Sequence, residues 1–181
     1  KIINLNIDCF FLVTPASTHF KIATKIINKK KDLFIEKPVT LKSKNIQELI
    51  KNSNKNKTIL ITGASSGLGK ELFNSLSKNS SYNFFLLSKN IDELKKIKKI
   101  NKQVRIYHLD LNEIEKTKTI ANRILEDSQN KIDVIICNAA EGAFGTIDDI
   151  PTDKFLSNFN VNFFSHLIII KSIYPTMKLR N

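Results

Sequence analysis

The fold of this chain is decided by the stretch Thr58-Ile59-Leu60-Ile61-Thr62-Gly63-Ala64-Ser65-Ser66-Gly67-Leu68-Gly69. Its first residues form a short apolar run, which is typical of a strand buried on both faces. Three glycines follow, and the apolar residues after them recur at helical spacing. At such a turn the backbone N–H groups and the helix dipole point at an anion, and the missing side chains let a pyrophosphate approach closely. The stretch therefore predicts a strand, a phosphate-binding turn and a helix.

The rest of the chain alternates between apolar runs and amphipathic segments. Further strands are predicted at residues 84–87, 104–109 and 132–137, with helices between them and a last helix from about 153 to 173. Strands that are separated by helices pair in parallel, because each crossover helix covers a face of the sheet. The sequence predicts a doubly wound α/β domain over residues 58–181, after a polar linker at 52–57.

Composition excludes several classes of protein. The chain has 181 residues, of which 41% are hydrophobic, so it can bury a core. Its net charge of +12 comes almost entirely from lysine, with arginine only at 105, 123 and 180, and solvated helix faces explain it better than nucleic-acid binding. No apolar run is long enough to cross a bilayer, so we expect no membrane association.

The two cysteines, Cys9 and Cys137, lie in apolar runs. This placement indicates small buried thiols and neither a disulfide framework nor a metal site. The sequence therefore predicts a protein of the reducing cytoplasm that binds no metal.

The glycines mark two positions in the predicted sheet. Gly63, Gly67 and Gly69 follow the strand at 58, whereas Gly142 and Gly145 follow the strand at 132. Both positions are carboxyl ends of strands, where open α/β sheets bind their ligands. We therefore expect both loops to border one cleft.

Three motifs carry a resemblance to a known family: Thr62 to Gly69, Asn138-Ala139-Ala140 and Asn160-Val161-Asn162. With them, residues 56–181 resemble the short-chain dehydrogenase/reductase family. The second motif departs from the family's Asn-Asn-Ala-Gly, because Cys137 and Ala140 stand at its two ends. The resemblance implies a nicotinamide-dependent oxidoreductase that transfers a hydride between the nicotinamide and a small carbonyl or alcohol.

The resemblance also implies roles for individual residues. In the first motif the pyrophosphate would be bound by Gly63, Ser65, Ser66, Gly67, Leu68 and Gly69. Asp110, followed by Leu111, would contact the adenine ring, although a helix N-cap is an alternative role for this aspartate. Asn138, Ala139 and Ala140 would steady the sheet and line the cofactor cleft, and Asn162 would position a proton-relay water.

Lys89 bears on the choice of cofactor. Enzymes that use NAD usually place a carboxylate after the second strand to bind the ribose 2′-OH, whereas NADP requires a cation for its 2′-phosphate. Here the segment reads Leu87-Ser88-Lys89-Asn90, with a lysine and no acid. It favours NADP, with NAD as the alternative and a merely solvated role for Lys89 as another.

Tyr174 and Lys178 have the family's catalytic spacing, but we interpret them as a coincidence. Tyr174 follows Asn162 by only twelve positions, and Pro175 would disrupt a helix interior. We therefore expect the catalytic serine, tyrosine and lysine to lie beyond residue 181. The chain is then expected to be a fragment that binds cofactor but catalyses poorly, so a non-catalytic dinucleotide-binding domain remains an alternative.

Residues 1–51 resemble a different family. The run from Asp8 to His19 and Glu36-Lys37-Pro38 are similar to part of the nucleotide domain of the glucose-fructose oxidoreductase and inositol dehydrogenase family. The resemblance implies that Lys37 lies beside the substrate, whereas a surface lysine is the alternative. A sugar dehydrogenase that uses Lys37 is therefore another hypothesis. We also expect the strands at Phe10 and Phe34 to cover the free edge of the strand at 132–137. Association into homo-oligomers stays open.

Overall fold

The computed structural model describes residues 9–12, 15–29, 32–35, 57–78, 80–101 and 103–180. Lys37 and most of the predicted linker lie outside these residues. In chain order the elements are β1 Cys9–Leu12, α1 Ala16–Asn28, β2 Asp32–Ile35, β3 Thr58–Thr62, α2 Gly67–Leu76, β4 Asn83–Ser88, α3 Ile91–Ile100, β5 Val104–His108, α4 Ile114–Asp127, β6 Val134–Ile136, α5 Thr152–Phe159, a π-helix Asn160–Phe164 and α6 Ser165–Lys178.

The described residues divide into two compact units. One contains the elements up to β2 together with residues 71–82, and the other contains residues 57–70 and 83–180. In the first, β1 pairs in parallel with β2, and Leu12 and Ala23 are buried with Phe20 and Leu33 packed against them. This short core follows from the helical spacing of the apolar residues on α1.

The second unit is built on a four-stranded parallel sheet in the order β5-β4-β3-β6. This arrangement confirms the predicted α/β fold. The chain runs outward from β3 through β4 to β5 and then returns to the other side of β3, so the strand order reverses between β3 and β6. Open α/β sheets bind ligands outside the carboxyl ends of the strands at such a point.

Burial explains why the apolar runs form strands. All residues of β3 after Thr58 are buried, as are all residues of β4 after Asn83, because helices cover both faces of a parallel sheet. A cluster on one face joins the sheet to the helices α4 and α6. It includes Leu60, Leu87, Ile124, Ile169 and Ile173. These contacts fix the strands whose ends form the site.

The expectation that the opening strands extend the main sheet is wrong. β1 and β2 pair with each other in a separate two-stranded sheet, and β6 is hydrogen-bonded only to β3 among the described strands. The reason is local: β1 and β2 flank their own crossover helix, which is long enough to join two parallel strands directly.

The last helix extends further than the sequence predicts. From Thr152 to Lys178 the chain is helical, with a π-helical segment in the middle, and Pro175 lies inside α6. The final turn is held from outside the helix, because the Arg180 guanidinium donates to the carbonyls of Asn130, Thr176 and Ile132. These contacts offset the backbone hydrogen bond that proline cannot make. In the described part of the chain, no helix combines the length and apolarity that a membrane crossing needs.

Candidate cofactor site

The glycine turn joins the end of β3 to the start of α2 and is held against β4. The N–H of Gly63 donates to the carbonyl of Leu87 at 2.8 Å. Gly63 has a φ of 65° and Gly67 a φ of 51°, in the left-handed region that glycine adopts without steric cost. The turn therefore needs glycine at both positions for conformation alone.

Two of the glycines also allow close contact within the protein. A Cβ on Gly69 would lie 2.3 Å from the Gly63 carbonyl oxygen and 2.5 Å from the Asn138 Nδ2. A Cβ on Gly63 would lie 2.8 Å from the Cα of Ala139. Gly63 and Gly69 therefore let the turn close on itself and on the loop after β6.

The other side of the turn is open. A Cβ on Gly67 would meet no atom of the described residues within 4 Å, and the next side chain, Leu68, is 47% exposed although it is apolar. Ser66 is also exposed. These residues stand at the first turn of α2, where backbone N–H groups lack helical partners. This is the face that a phosphate can approach.

Ser65 contacts the end of β4. It is buried, and its Oγ is 2.7 Å from the Oγ of Ser88 at the end of β4. The Ser88 hydroxyl oxygen also accepts the N–H of Asn90 at 3.2 Å. The serine pair thus ties the glycine turn to the segment that carries Lys89, whose side chain is exposed.

Thr62 fixes the loop after β6 to the glycine turn. Its buried Oγ1 accepts the backbone N–H groups of Asn138 at 2.9 Å and Ala139 at 3.0 Å. The Asn138 side-chain amide donates in return to the carbonyls of Thr62 at 3.1 Å and Gly63 at 3.3 Å. The predicted motif at 138–140 therefore lies directly beside the turn, with Ala140 exposed.

Asn162 holds the next residue of that loop. Its Oδ1 accepts the N–H of Glu141 at 3.0 Å, and its Nδ2 donates to the Glu141 carbonyl at 2.8 Å. Asn162 lies in the π-helix, so this irregular segment places the asparagine against the loop. The described structure thus brings the second and third motifs of the sequence together.

The side chain of Glu141 binds the same helical segment. Its Oε1 accepts hydrogen bonds from Ser157 at 2.5 Å and from Lys154 at 3.0 Å. These hydrogen bonds, followed by the charges of Lys154 and Lys89, lower the pKa of the Glu141 carboxyl below its usual value.

Asp110 and Leu111 follow β5. The Asp110 Oδ1 accepts the N–H of Asn112 at 2.9 Å, and Glu113 occupies the N-cap position of α4, so Asp110 is not the cap. Leu111 is buried in the core, and its carbonyl accepts the hydroxyl of Ser165. Any ligand contact by Leu111 would therefore come from its backbone.

This geometry agrees with the comparisons with known proteins. Residues 57–181 match the model of the short-chain dehydrogenase family. The chain belongs to the short-chain dehydrogenase family. Residues 2–64 match a second model, an oxidoreductase family with an NAD-binding Rossmann fold, which agrees with the separate resemblance of the opening segment.

The individual relatives of this chain are distant. It is 28% identical over 144 residues to Dehydrogenase/reductase SDR family protein 7-like of Dictyostelium discoideum, covering 74% of this chain and 45% of the relative. It is 32% identical to an uncharacterised oxidoreductase of Staphylococcus saprophyticus, covering 70% of this chain and 52% of that protein. The chain spans about half the length of the curated relatives it matches.

A solved structure has a similar fold over about two thirds of this chain. It is the alcohol dehydrogenase of the archaeon Thermococcus sibiricus in complex with 5-hydroxy-NADP, at 26% identity and a TM-score of 0.61. The match covers 67% of this chain and 53% of that one. The carboxyl edge of the sheet is therefore the candidate cofactor site of this chain.

Tyr174 and Lys178 lie at the opposite edge. Asn162 and Tyr174 are twelve residues apart on one helical run, which corresponds to about 18 Å along its axis. Just past this helix, Arg180 donates to the Ile132 carbonyl near the amino end of β6. The tyrosine-lysine spacing therefore lies away from the glycine turn, in keeping with the interpretation of this pair as a coincidence.

Lys37 lies outside the described residues, so its role beside a substrate stays a prediction. Within the described ranges no group of His, Cys, Asp and Glu side chains could hold a metal ion, and Cys137 takes part in no disulfide.

The sequence reasoning missed three groups that build this site: the hydroxyl of Ser88, the carboxylate of Glu141 and the imidazole of His166. His166 is buried, and its Nε2 is 3.0 Å from the Thr62 Oγ1. A histidine directly before the apolar run of residues 167–170 is the signal that could have drawn attention to it, since buried polar groups require partners.

Proposed function

We propose that this short-chain dehydrogenase binds NADP at the carboxyl edge of its sheet and serves hydride transfer between the nicotinamide and a small carbonyl or alcohol. The observation that carries the proposal is the glycine turn. It closes on the loop after β6 through Gly63 and Gly69 and stays open at Gly67, beside the first turn of α2. A strand-to-helix turn with that shape fits a pyrophosphate.

The residues around the opening fit the remainder of a dinucleotide. Backbone N–H groups at Ser66, Gly67 and Leu68 would bind the pyrophosphate, with the exposed Leu68 side chain covered by the ligand. Asp110 would bind the adenine, and the Asn138–Ala140 loop would line the nicotinamide half of the cleft. When bound, the dinucleotide supplies the hydride.

Lys89 is the basis for NADP. Lys89 comes directly after β4, the strand beside the glycine turn. The Ser65–Ser88 hydrogen bond holds this segment against the turn. A cation at this place pairs with the 2′-phosphate that NADP carries and NAD lacks. The relative from Thermococcus sibiricus, whose structure contains 5-hydroxy-NADP, supports the same choice.

Asn162 would act at the nicotinamide end. Its side-chain amide is hydrogen-bonded to the N–H and the carbonyl of Glu141. A water would therefore be bound by the backbone of the π-helix and not by this amide. In this proposal Asn162 fixes the loop wall of the cleft and positions the proton-relay water.

A titration tests the proposal. The chain contains no tryptophan, so binding can be followed through the fluorescence of NADPH and NADH themselves. We expect NADPH to bind more tightly than NADH. In Lys89→Ala, NADPH should bind at least tenfold more weakly, because a hydrogen bond to a charged group is worth about 1.5–3 kcal/mol and about 1.4 kcal/mol corresponds to tenfold. NADH affinity should stay the same.

Lys95→Ala is the matched control, since it removes another exposed lysine whose ion pair with Asp92 lies on the helix surface. If Lys89→Ala and Lys95→Ala weaken NADPH binding equally, the loss reflects the lower net positive charge of the protein, and Lys89 has no specific role. If neither nucleotide binds the wild-type protein, the cofactor proposal fails.

The Lys37 hypothesis has its own support. The match of residues 2–64 to an NAD-binding oxidoreductase family favours it. Lys37→Met should leave NADPH affinity unchanged if the cofactor binds only at the glycine turn. A loss of sugar-dependent NAD reduction in that variant would instead support a second active site.

The proposal also covers assembly and location. Leu156, Phe159 and Phe163 are each more than half exposed and recur on one side of the α5 and π-helical run. We assign this side to self-association in the cytoplasm, where Cys137 stays a thiol. Light scattering over a range of concentrations tests it, and a monomer throughout would remove this part of the proposal.

A further inference from the structure

His166 lies at the first turn of α6, in contact with the end of β3. It is only 5% exposed. Its Nε2 is 3.0 Å from the Thr62 Oγ1, and its Nδ1 is 3.4 Å from the Asn162 carbonyl oxygen. One imidazole therefore touches both residues that hold the loop after β6.

The hydrogen bonds of Thr62 determine which ring nitrogen carries the proton. A hydroxyl offers one donor hydrogen and two acceptor lone pairs. The N–H groups of Asn138 and Ala139 occupy both lone pairs, at 2.9 and 3.0 Å. The Thr62 hydroxyl must then act as a donor toward its remaining neighbours, the His166 Nε2 at 3.0 Å and the Ile136 carbonyl at 3.4 Å.

Of these two contacts, the one to the His166 Nε2 is shorter, so this nitrogen accepts the hydrogen of the Thr62 hydroxyl. A protonated Nε2 would point its hydrogen at an oxygen with no lone pair left, at hydrogen-bond distance and away from water. Such an arrangement leaves buried polar groups unsatisfied, which costs about 1–3 kcal/mol. An unprotonated Nε2 accepts the hydroxyl, and the hydrogen on Nδ1 then points to the Asn162 carbonyl.

We propose that His166 is a positioning residue of the cofactor site, held as the neutral Nδ1–H tautomer. It orients the Thr62 hydroxyl, and Thr62 in turn holds Asn138 and Ala139 against the glycine turn. The proposal rests on the proposed function in so far as the site binds a dinucleotide. The tautomer of His166 and the hydrogen bonds from the loop to Thr62 do not depend on any ligand.

The geometry of the glycine turn explains why a small movement of the loop after β6 would affect the binding of the pyrophosphate. The Asn138 amide and the Ala139 backbone lie so close to Gly63 and Gly69 that no Cβ fits between them. The loop and the turn therefore move together. If Thr62 releases the loop, the backbone N–H groups of the turn lose the support that aims them at the pyrophosphate.

The first experiment needs no ligand. A long-range ¹H–¹⁵N spectrum of the full chain, with the His166 resonances assigned by comparison with His166→Gln, reports the protonation of each ring nitrogen. We expect Nδ1 protonated and Nε2 unprotonated at neutral pH. A protonated Nε2 would overturn the proposal whatever the protein binds.

The second experiment uses variants. Gln at 166 offers a carbonyl oxygen where Nε2 stands, whereas Leu fills a similar volume with no acceptor. We expect His166→Leu to weaken NADPH binding about tenfold and to speed amide exchange at Asn138 and Ala139, with His166→Gln close to wild type, since about 1.4 kcal/mol corresponds to tenfold. Thr62→Val combined with His166→Leu should be no worse than Thr62→Val alone.

Equal losses in the Leu and Gln variants would reduce His166 to a packing residue and refute the positioning role. If His166→Leu does not fold, the Gln variant and the spectrum still decide the question. If wild-type protein binds no dinucleotide, the proposed function fails, whereas faster exchange at Asn138 and Ala139 in the Leu variant would still support the role of His166.

Discussion

Replacement of Gly69 by alanine tests whether the glycine turn closes as the structure has it. The added methyl group would lie 2.3 Å from the Gly63 carbonyl oxygen and 2.5 Å from the Asn138 Nδ2. The carbonyl belongs to a turn that is hydrogen-bonded to β4, so it cannot rotate away as a flexible side chain would. To reach even 3.0 Å the backbone must open by about 0.7 Å.

The expected cost follows from two opposing terms. Overpacking of a closely packed site costs about 1–3 kcal/mol, and contact with backbone places this site at the upper end. Alanine in place of glycine within a helix returns about 1 kcal/mol. We therefore expect the free energy of unfolding to fall by about 2 kcal/mol, and NADPH affinity to fall at least tenfold, because the displaced Gly63 backbone no longer holds the turn in the shape that aims its N–H groups at the pyrophosphate.

Two other glycines provide controls for Gly69→Ala. The methyl group of Gly67→Ala meets no atom in the described part of the chain, but the positive φ at this position costs about 1–2 kcal/mol in a residue with a Cβ. Gly142→Ala meets only the Phe144 ring at 3.4 Å and should lie within about 0.5 kcal/mol of wild type.

Urea unfolding followed by circular dichroism, with NADPH titration in parallel, measures all three variants. The reasoning is refuted if Gly69→Ala unfolds and binds like Gly142→Ala, since the close approach of Gly63 and Gly69 would then not exist in solution. If Gly67→Ala proved worse than Gly69→Ala, conformation would matter more than space at this turn.

Two further predictions concern the two ends of the helical run. Tyr174→Phe and Lys178→Met should each change NADPH affinity by no more than about twofold, because they lie far from the turn, and a tenfold loss in titration would contradict the assignment. Glu141 has a lowered pKa in the folded protein, so its bonds to Ser157 and Lys154 stabilise the loop above its unfolded pKa, near 4.5, and this stability is lost as pH falls through the lower folded value. Amide exchange in the loop should therefore accelerate at acid pH beyond its intrinsic rate in wild type but not in Glu141→Gln, and an identical profile in both would refute the role of the carboxylate.

Much of the fold could be predicted because its signals are local. The run Ile59–Ile61 and the glycines behind it indicate a strand, a turn and a helix without reference to the rest of the chain, and the predicted strands agree with the observed ones to within about two residues. The placement of β1 and β2 could not be predicted in this way. Which edge a strand joins depends on packing between elements, and the alternation of apolar runs does not encode it.

The side-chain partners of the site were the least predictable part. Thr62 and His166 are 104 positions apart, and Ser65 and Ser88 are 23 apart, so each pair meets only after the crossovers have formed. At Pro175 a local signal was misleading. A proline predicts that the helix is disrupted there, but contacts made by Arg180 from beyond the helix hold the last turn in place.

The three glycines of the motif separate a folding requirement from a binding requirement. All were expected to bind a pyrophosphate, yet Gly63 and Gly69 leave room for protein atoms, whereas Gly67 faces open space. A chain can therefore need two of the three glycines merely to close β3 onto the loop after β6, with or without a ligand. For that reason a complete motif is stronger evidence for this fold than for its chemistry, and the binding claim depends on Gly67, Leu68 and Lys89, which the protein itself leaves exposed.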